Sequence, residues 1–91
     1  MKIEVFGKQG CALCQTTKRK LSHFLEKWGH AEKVEFAFVD LETADGLAEG
    51  AFQDVTAVPT IIISDNGDAL GRWEGEVPPS DDVKKILDER L

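Results

Sequence analysis

Over its first forty residues the chain reads as strand, helix, strand, and that order constrains the fold more than any other feature. Lys2 to Phe6 has the pattern of a short strand, ended by Gly7 and the turn-prone Lys8-Gln9-Gly10. From Cys14 onward Leu21, Phe24, Leu25 and Trp28 recur at helical spacing, and Gly29 is placed to stop the helix. Val34 to Val39 alternates and then becomes continuously apolar, which predicts a largely buried second strand closed by Asp40. Two strands joined through a helix lie parallel with a right-handed crossover, so the chain starts with a parallel unit.

The rest of the sequence adds an antiparallel edge. Leu41 to Asp54 holds a weaker helical segment interrupted by Gly46 and Gly50, with Leu47, Ala48, Ala51 and Phe52 as its expected buried side. Thr60 to Ser64 is apolar and β-branched, and Asp65-Asn66-Gly67-Asp68 is a hairpin signal because Asn-Gly accepts positive φ at both central positions. Ala69 to Glu74 is the antiparallel partner. After Gly75 and Pro78-Pro79, Ser80 is positioned to cap a last helix, with Asp81 and Asp82 at the positive end of its dipole and Val83, Ile86, Leu87 and Leu91 as its apolar stripe. The predicted product is an α/β domain spanning residues 1–91: a four-stranded mixed sheet with three helices on both faces, in the order β-α-β-α-β-β-α.

Composition narrows the function. The chain has 91 residues and a net charge of -6, which argues against nucleic acid as a general partner. The charge is uneven: residues 1–33 carry seven Lys/Arg against three Glu, a balance of +4, and the remainder carries four basic against fourteen acidic, a balance of -10. No apolar run is long enough to span a bilayer, and the opening strand lacks the apolar stretch of a secretory signal, so no membrane association and a cytoplasmic location are expected.

The chemistry concentrates in Cys11 and Cys14, the only two cysteines. A disulfide closing so short a loop removes little entropy from the unfolded chain, so the pair serves chemistry better than stapling. A free thiol has a pKa near ~8.5, which falls to roughly 3.5–7.5 at a helix N-terminus or beside a cation. Cys11 stands where both act: Gly10 precedes the helix, the N–H groups of Leu13 and Cys14 are placed to point at its sulfur, and Lys8 is three residues upstream. Cys11 is therefore the expected exposed nucleophile. Cys14 lies one turn further, on the stripe of Leu21, and faces inward. Cys11 would form a mixed disulfide with a substrate, and Cys14 would attack the Cys11 sulfur to release it. Two cysteines do not complete a tetrahedral thiolate site within one chain, and His23 and His30, both expected at the surface, have no spacing that helps. A dimer sharing four thiolates around zinc or an iron-sulfur cluster is the rival reading.

Taken together, these residues resemble the thioredoxin/glutaredoxin superfamily over nearly the whole chain. The likeness rests on the strand-Gly-turn-Cys-x-x-Cys-helix segment from Ile3 to Trp28, on Val58-Pro59-Thr60 leading a hairpin, and on Asn66-Gly67-Asp68 followed by Gly75 and a closing helix. It implies a thioredoxin-like fold in which Pro59 is a cis-proline across from the cysteines, the backbone of Val58 pairs with a bound substrate chain, and Gly75 gives a partner close access. The departures are local. Gly10 stands where thioredoxins usually carry Trp, Ala12-Leu13 replaces their Gly-Pro, and Glu4 is the only acidic residue in the first strand, here as readily an edge or end residue as a buried acid. Gly71-Arg72-Trp73-Glu74 is a poor match to the glutathione-holding segment of glutaredoxins, which leaves Lys8 as the best supported glutathione contact.

The resulting expectation is a monomeric thiol-disulfide oxidoreductase without a cofactor, serving electron transport and cell redox homeostasis. Catalysis would rest on Cys11 and Cys14, substrate binding on Lys8, Val58, Pro59 and Gly75. Its partners would be protein disulfides and an upstream donor, either thioredoxin reductase or glutathione. The alternatives are the dimeric metal or iron-sulfur carrier and a redox-inert binding module that uses the groove beside Val58 and Pro59.

Overall fold

A computed structural model describes all residues from Met1 to Leu91. Seven elements follow in the predicted order: β1 (Lys2–Gly7), α1 (Ala12–Lys27), β2 (Glu35–Asp40), α2 (Ala44–Phe52), β3 (Thr60–Asp65), β4 (Asp68–Glu74) and α3 (Ser80–Arg90). The sheet order is β2-β1-β3-β4, with β1 parallel to β2 and antiparallel to β3, and β3 antiparallel to β4. Asn66 and Gly67 both take positive φ (52° and 86°), as the hairpin signal requires.

Alternation along β1 sends Ile3 and Val5 to one face of the sheet and Glu4 and Phe6 to the other. On the first face Leu21 and Leu25 of α1 and Val83 and Leu87 of α3 join Ile3, Val5, Val34, Ile61 and Ile63 in the buried core. Each such side chain contributes roughly 1.5–3 kcal/mol on burial, so this face is the main source of stability. α2 covers the second face, where its Glu49 and its C-cap Gln53 line a cleft with Glu4 and Ile62.

Four expectations are corrected and one open reading is decided. Leu47 and Phe52 of α2 are 63% and 82% exposed, while Gly46 and Gly50 are buried. The helix presses its glycine side onto the sheet because a Cβ at Gly46 would overlap the carbonyl oxygen of Asp40. β2 is half-buried rather than largely buried, since it is an edge strand with β1 as its one neighbour. Glu4 is not an edge residue: it sits in an interior strand, 5% exposed, with Lys2 Nζ at 3.5 Å. Ser80 makes no cap. Pro79 takes the N-cap position, and its carbonyl accepts from the N–H groups of Asp82 and Val83.

His30, last of the five, is half-buried at the end of α1, with Nε2 3.6 Å from Asp88 of α3. A hydrogen bond from Lys84 is the main influence that holds the Asp88 carboxyl below its ordinary range, with His30 adding to it. No helix is long and apolar enough to cross a membrane.

Candidate active site

Cys11 is the N-cap of α1. Its backbone is extended (φ -88°, ψ 110°), and its sulfur accepts the N–H of Cys14 at 3.1 Å. The first turn of a helix leaves such N–H groups without partners inside the helix, so a sulfur at the N-cap satisfies one and receives the positive end of the dipole. Of the two N–H groups expected on that sulfur, only that of Cys14, the third helical residue, makes the bond. Cys11 and Cys14 are joined as a disulfide, with Cα atoms 5.2 Å apart. Cys14 is fully buried, as its place on the Leu21 stripe predicts, whereas Cys11 is half-buried rather than freely exposed.

Gly7 is the residue that the sequence reading missed. The pattern makes it a strand terminator; in the fold it is the surface against which the second sulfur rests. A Cβ at Gly7 would lie 2.7 Å from Cys14 Sγ and 3.4 Å from the Phe38 ring. A glycine between a strand and a Cys-x-x-Cys helix is the signal that points to this close approach. Thr17 is also buried in α1, its hydroxyl donating to the Leu13 carbonyl at 2.8 Å.

The register of the sheet brings Pro59 to the same place. Phe6 of β1 pairs with Thr60 of β3, so the next residue on β1, Gly7, and the preceding residue on the β3 side, Pro59, lie at one end of the sheet. Pro59 is fully buried and the Val58–Pro59 peptide bond is cis. The Pro59 carbonyl accepts the N–H of Gly75 at 2.6 Å, which ties Gly75 to this end with a φ of 72°. Val58 is 37% exposed, and its own N–H and C=O make no hydrogen bond within the chain. Leu13, 42% exposed, adds a second apolar side chain on α1.

Lys8 stands between β1 and α1. Its side chain is exposed and forms no ion pair; its carbonyl accepts from the N–H of Cys11 at 3.2 Å and from Gln15 Nε2 at 3.5 Å, so it shapes the turn. Glu4 lies on the face of β1 opposite to Ile3 and Val5, with α2, and thus on the other side of the sheet from Cys14. Beneath the cysteines β1 offers Val5 and Gly7 instead of a carboxylate.

Compared with solved structures, the chain superposes on thioredoxin 1 from Thermosipho africanus with a TM-score of 0.77 at 22% identity, covering 100% of this chain and 94% of that one. For oxidised thioredoxin O2 from Arabidopsis thaliana the values are 0.75 and 17%, covering 97% and 72%. For oxidised mitochondrial thioredoxin 3 from Saccharomyces cerevisiae they are 0.72 and 22%, covering 96% and 76%. The chain has the thioredoxin-like fold. No family model matches the sequence, and no curated protein matches it. The likeness thus lives in the three-dimensional fold.

Proposed function

We propose that this protein is a thiol-disulfide oxidoreductase that reduces protein disulfides through Cys11 and Cys14. The observation that carries this reading is the inequality of the two sulfurs. One caps a helix and accepts an N–H, while the other is sealed against Gly7. In the reduced protein the Cys11 thiolate attacks one sulfur of a substrate disulfide. The substrate S–S bond breaks, a Cys11–substrate bond forms, and one substrate thiolate leaves. Cys14, after losing its proton, attacks Cys11 Sγ, closing the Cys11–Cys14 disulfide and releasing the second substrate thiolate. Two electrons pass to the substrate, whose thiolates take up the protons. The helix N-terminus favours the anion at Cys11 as the attacking thiolate of the first step, while in the second step the leaving group is the substrate thiolate.

Val58 supports a protein as substrate. Its unpaired N–H and C=O, next to Pro59 and Gly75, are free to add an extended chain as a strand. Leu13 offers that chain apolar contact. Two thiol equivalents restore the reduced state by the same exchange run in reverse, and thioredoxin reductase with NADPH, or two molecules of glutathione recycled by their reductase, are the two sources to compare.

The test is turnover of a protein disulfide with either donor. Cys11→Ser is expected to reduce it to background, and Cys14→Ser to accumulate mixed disulfides seen as a mass increase equal to the substrate. Full activity in Cys11→Ser would overturn the assignment. A coloured, metal-bearing dimer from anaerobic purification would replace it with the carrier reading.

A further inference from the structure

The loop that brings Val58 and Pro59 to the cysteines leaves α2 through a strained residue. Helices α1 and α2 both end in a Schellman arrangement, in which the residue after the C-cap turns left-handed and the next N–H reaches back to a carbonyl of the last turn. At α1 that residue is Gly29, φ 75°, followed by His30 N–H to the Leu25 carbonyl at 2.9 Å. At α2 it is Asp54, φ 56°, followed by Val55 N–H to the Gly50 carbonyl at 2.8 Å. A residue with a side chain persists in this conformation where its surroundings hold it, and such residues cluster at functional sites.

Arg72 is what holds Asp54. From β4 its guanidinium donates to the carbonyls of Gln53 at 2.6 Å and Asp54 at 2.9 Å, while Nε donates to Glu74 Oε1 at 2.8 Å. A planar fork matches two successive carbonyls and a carboxylate at once, which the point charge of a lysine does not. Further along, the loop is tied by Thr60 Oγ1 to the Ala57 carbonyl at 2.7 Å and by Gly75 N–H to the Pro59 carbonyl at 2.6 Å. Between Asp54 and Val58 the loop is tied only through the Val55 N–H, part of the same turn that Asp54 closes, and the Ala57 carbonyl, while Thr56 and Val58 make no backbone hydrogen bond. The position of Asp54 thus sets where this short stretch starts toward Val58.

We propose that Arg72 is a positioning residue for protein substrates: its grip on Gln53 and Asp54 fixes where Val58 presents its backbone to an incoming extended chain. The proposal rests on the reading of Val58 as the docking edge. It predicts a selective defect. A protein disulfide uses both the edge and Cys11; a small disulfide uses Cys11 alone.

The experiment mixes pre-reduced protein in single turnover with insulin or with 2-hydroxyethyl disulfide and counts thiols by alkylation. Arg72→Ala is expected to raise the half-saturating insulin concentration about tenfold, the size of one lost charge-assisted hydrogen bond. The limiting rate and the rate with 2-hydroxyethyl disulfide stay at wild-type values, and Arg72→Lys recovers part of the loss. In the same variant the Asp54 and Val55 amides exchange hydrogen faster while those of β1 and α1 do not change. Unchanged insulin saturation, or an equal fall with both disulfides, overturns the proposal. A wild-type protein that reduces neither disulfide overturns the proposed function instead. In that case unchanged exchange at Asp54 and Val55 still overturns the grip assigned to Arg72.

Discussion

Helices α1 and α2 meet one sheet from opposite faces and by opposite means. α1 inserts side chains, Cys14, Thr17, Leu21 and Leu25, into the larger core. α2 brings its backbone close through Gly46 and Gly50 and turns Leu47 and Phe52 outward. Each way of packing delivers a different half of the candidate site. Side-chain burial anchors α1 so that its N-terminus holds the dithiol at a fixed place beside Gly7. Close backbone approach lets α2 end near the sheet, where Arg72 catches its last carbonyls and directs the loop to Pro59. What this contrast teaches is that a short helix without an apolar buried stripe can still be a fixed part of a site, provided its contact face is small enough.

The contrast breaks first, and most visibly, at its two contact surfaces. Leu21→Ala removes a buried side chain from the α1 face and is expected to cost about 3 kcal/mol in urea unfolding. Gly46→Ala adds one methyl where the Asp40 carbonyl already stands; backbone does not yield as a side chain does, so about 2 kcal/mol is expected despite the better helix propensity of alanine. Leu47→Ala, on the outward side of α2, should stay within about 0.5 kcal/mol of wild type. A large loss in Leu47→Ala together with a neutral Gly46→Ala would mean that α2 packs the other way round.

The smaller contrast is at the helix ends. Gly29→Ala places a side chain at φ 75° and is expected to cost about 1 kcal/mol, whereas Asp54→Gly relieves a strained φ of 56° and is expected to gain about 0.5 kcal/mol. Opposite signs in the same unfolding assay would sharpen the comparison. Equal losses would show that the Asp54 side chain, and not only its backbone, stabilises the loop.

How much of this was legible in the sequence follows from the same physics. α1 was legible because an apolar stripe at helical spacing reports directly which side is buried, and because Cys11 and Cys14 sit at a helix start that local signals define. The buried face of α2 was not, because glycine leaves no mark in a hydrophobic pattern; Gly46 and Gly50 read as interruptions when they are the contact. Glu4 was ambiguous because its burial depends on β1 lying between β2 and β3, which is a property of sheet order. The role of Arg72 was hidden because its two carbonyl partners lie 18 and 19 residues earlier in the chain. Pro59 was placed by family resemblance, and the Phe6–Thr60 register brings it beside Gly7.

The account turns on the two sulfurs being unequal, and the most direct test is the alkylation rate of each thiol in the reduced, folded protein, followed by mass spectrometry of digested samples. Cys11 is expected to react at least about tenfold faster than Cys14, with Cys14 labelled at the same rate only after unfolding, because a thiolate favoured at a helix start reacts and a thiol sealed against Gly7 does not. Equal rates in the folded protein, or faster labelling of Cys14, would contradict it.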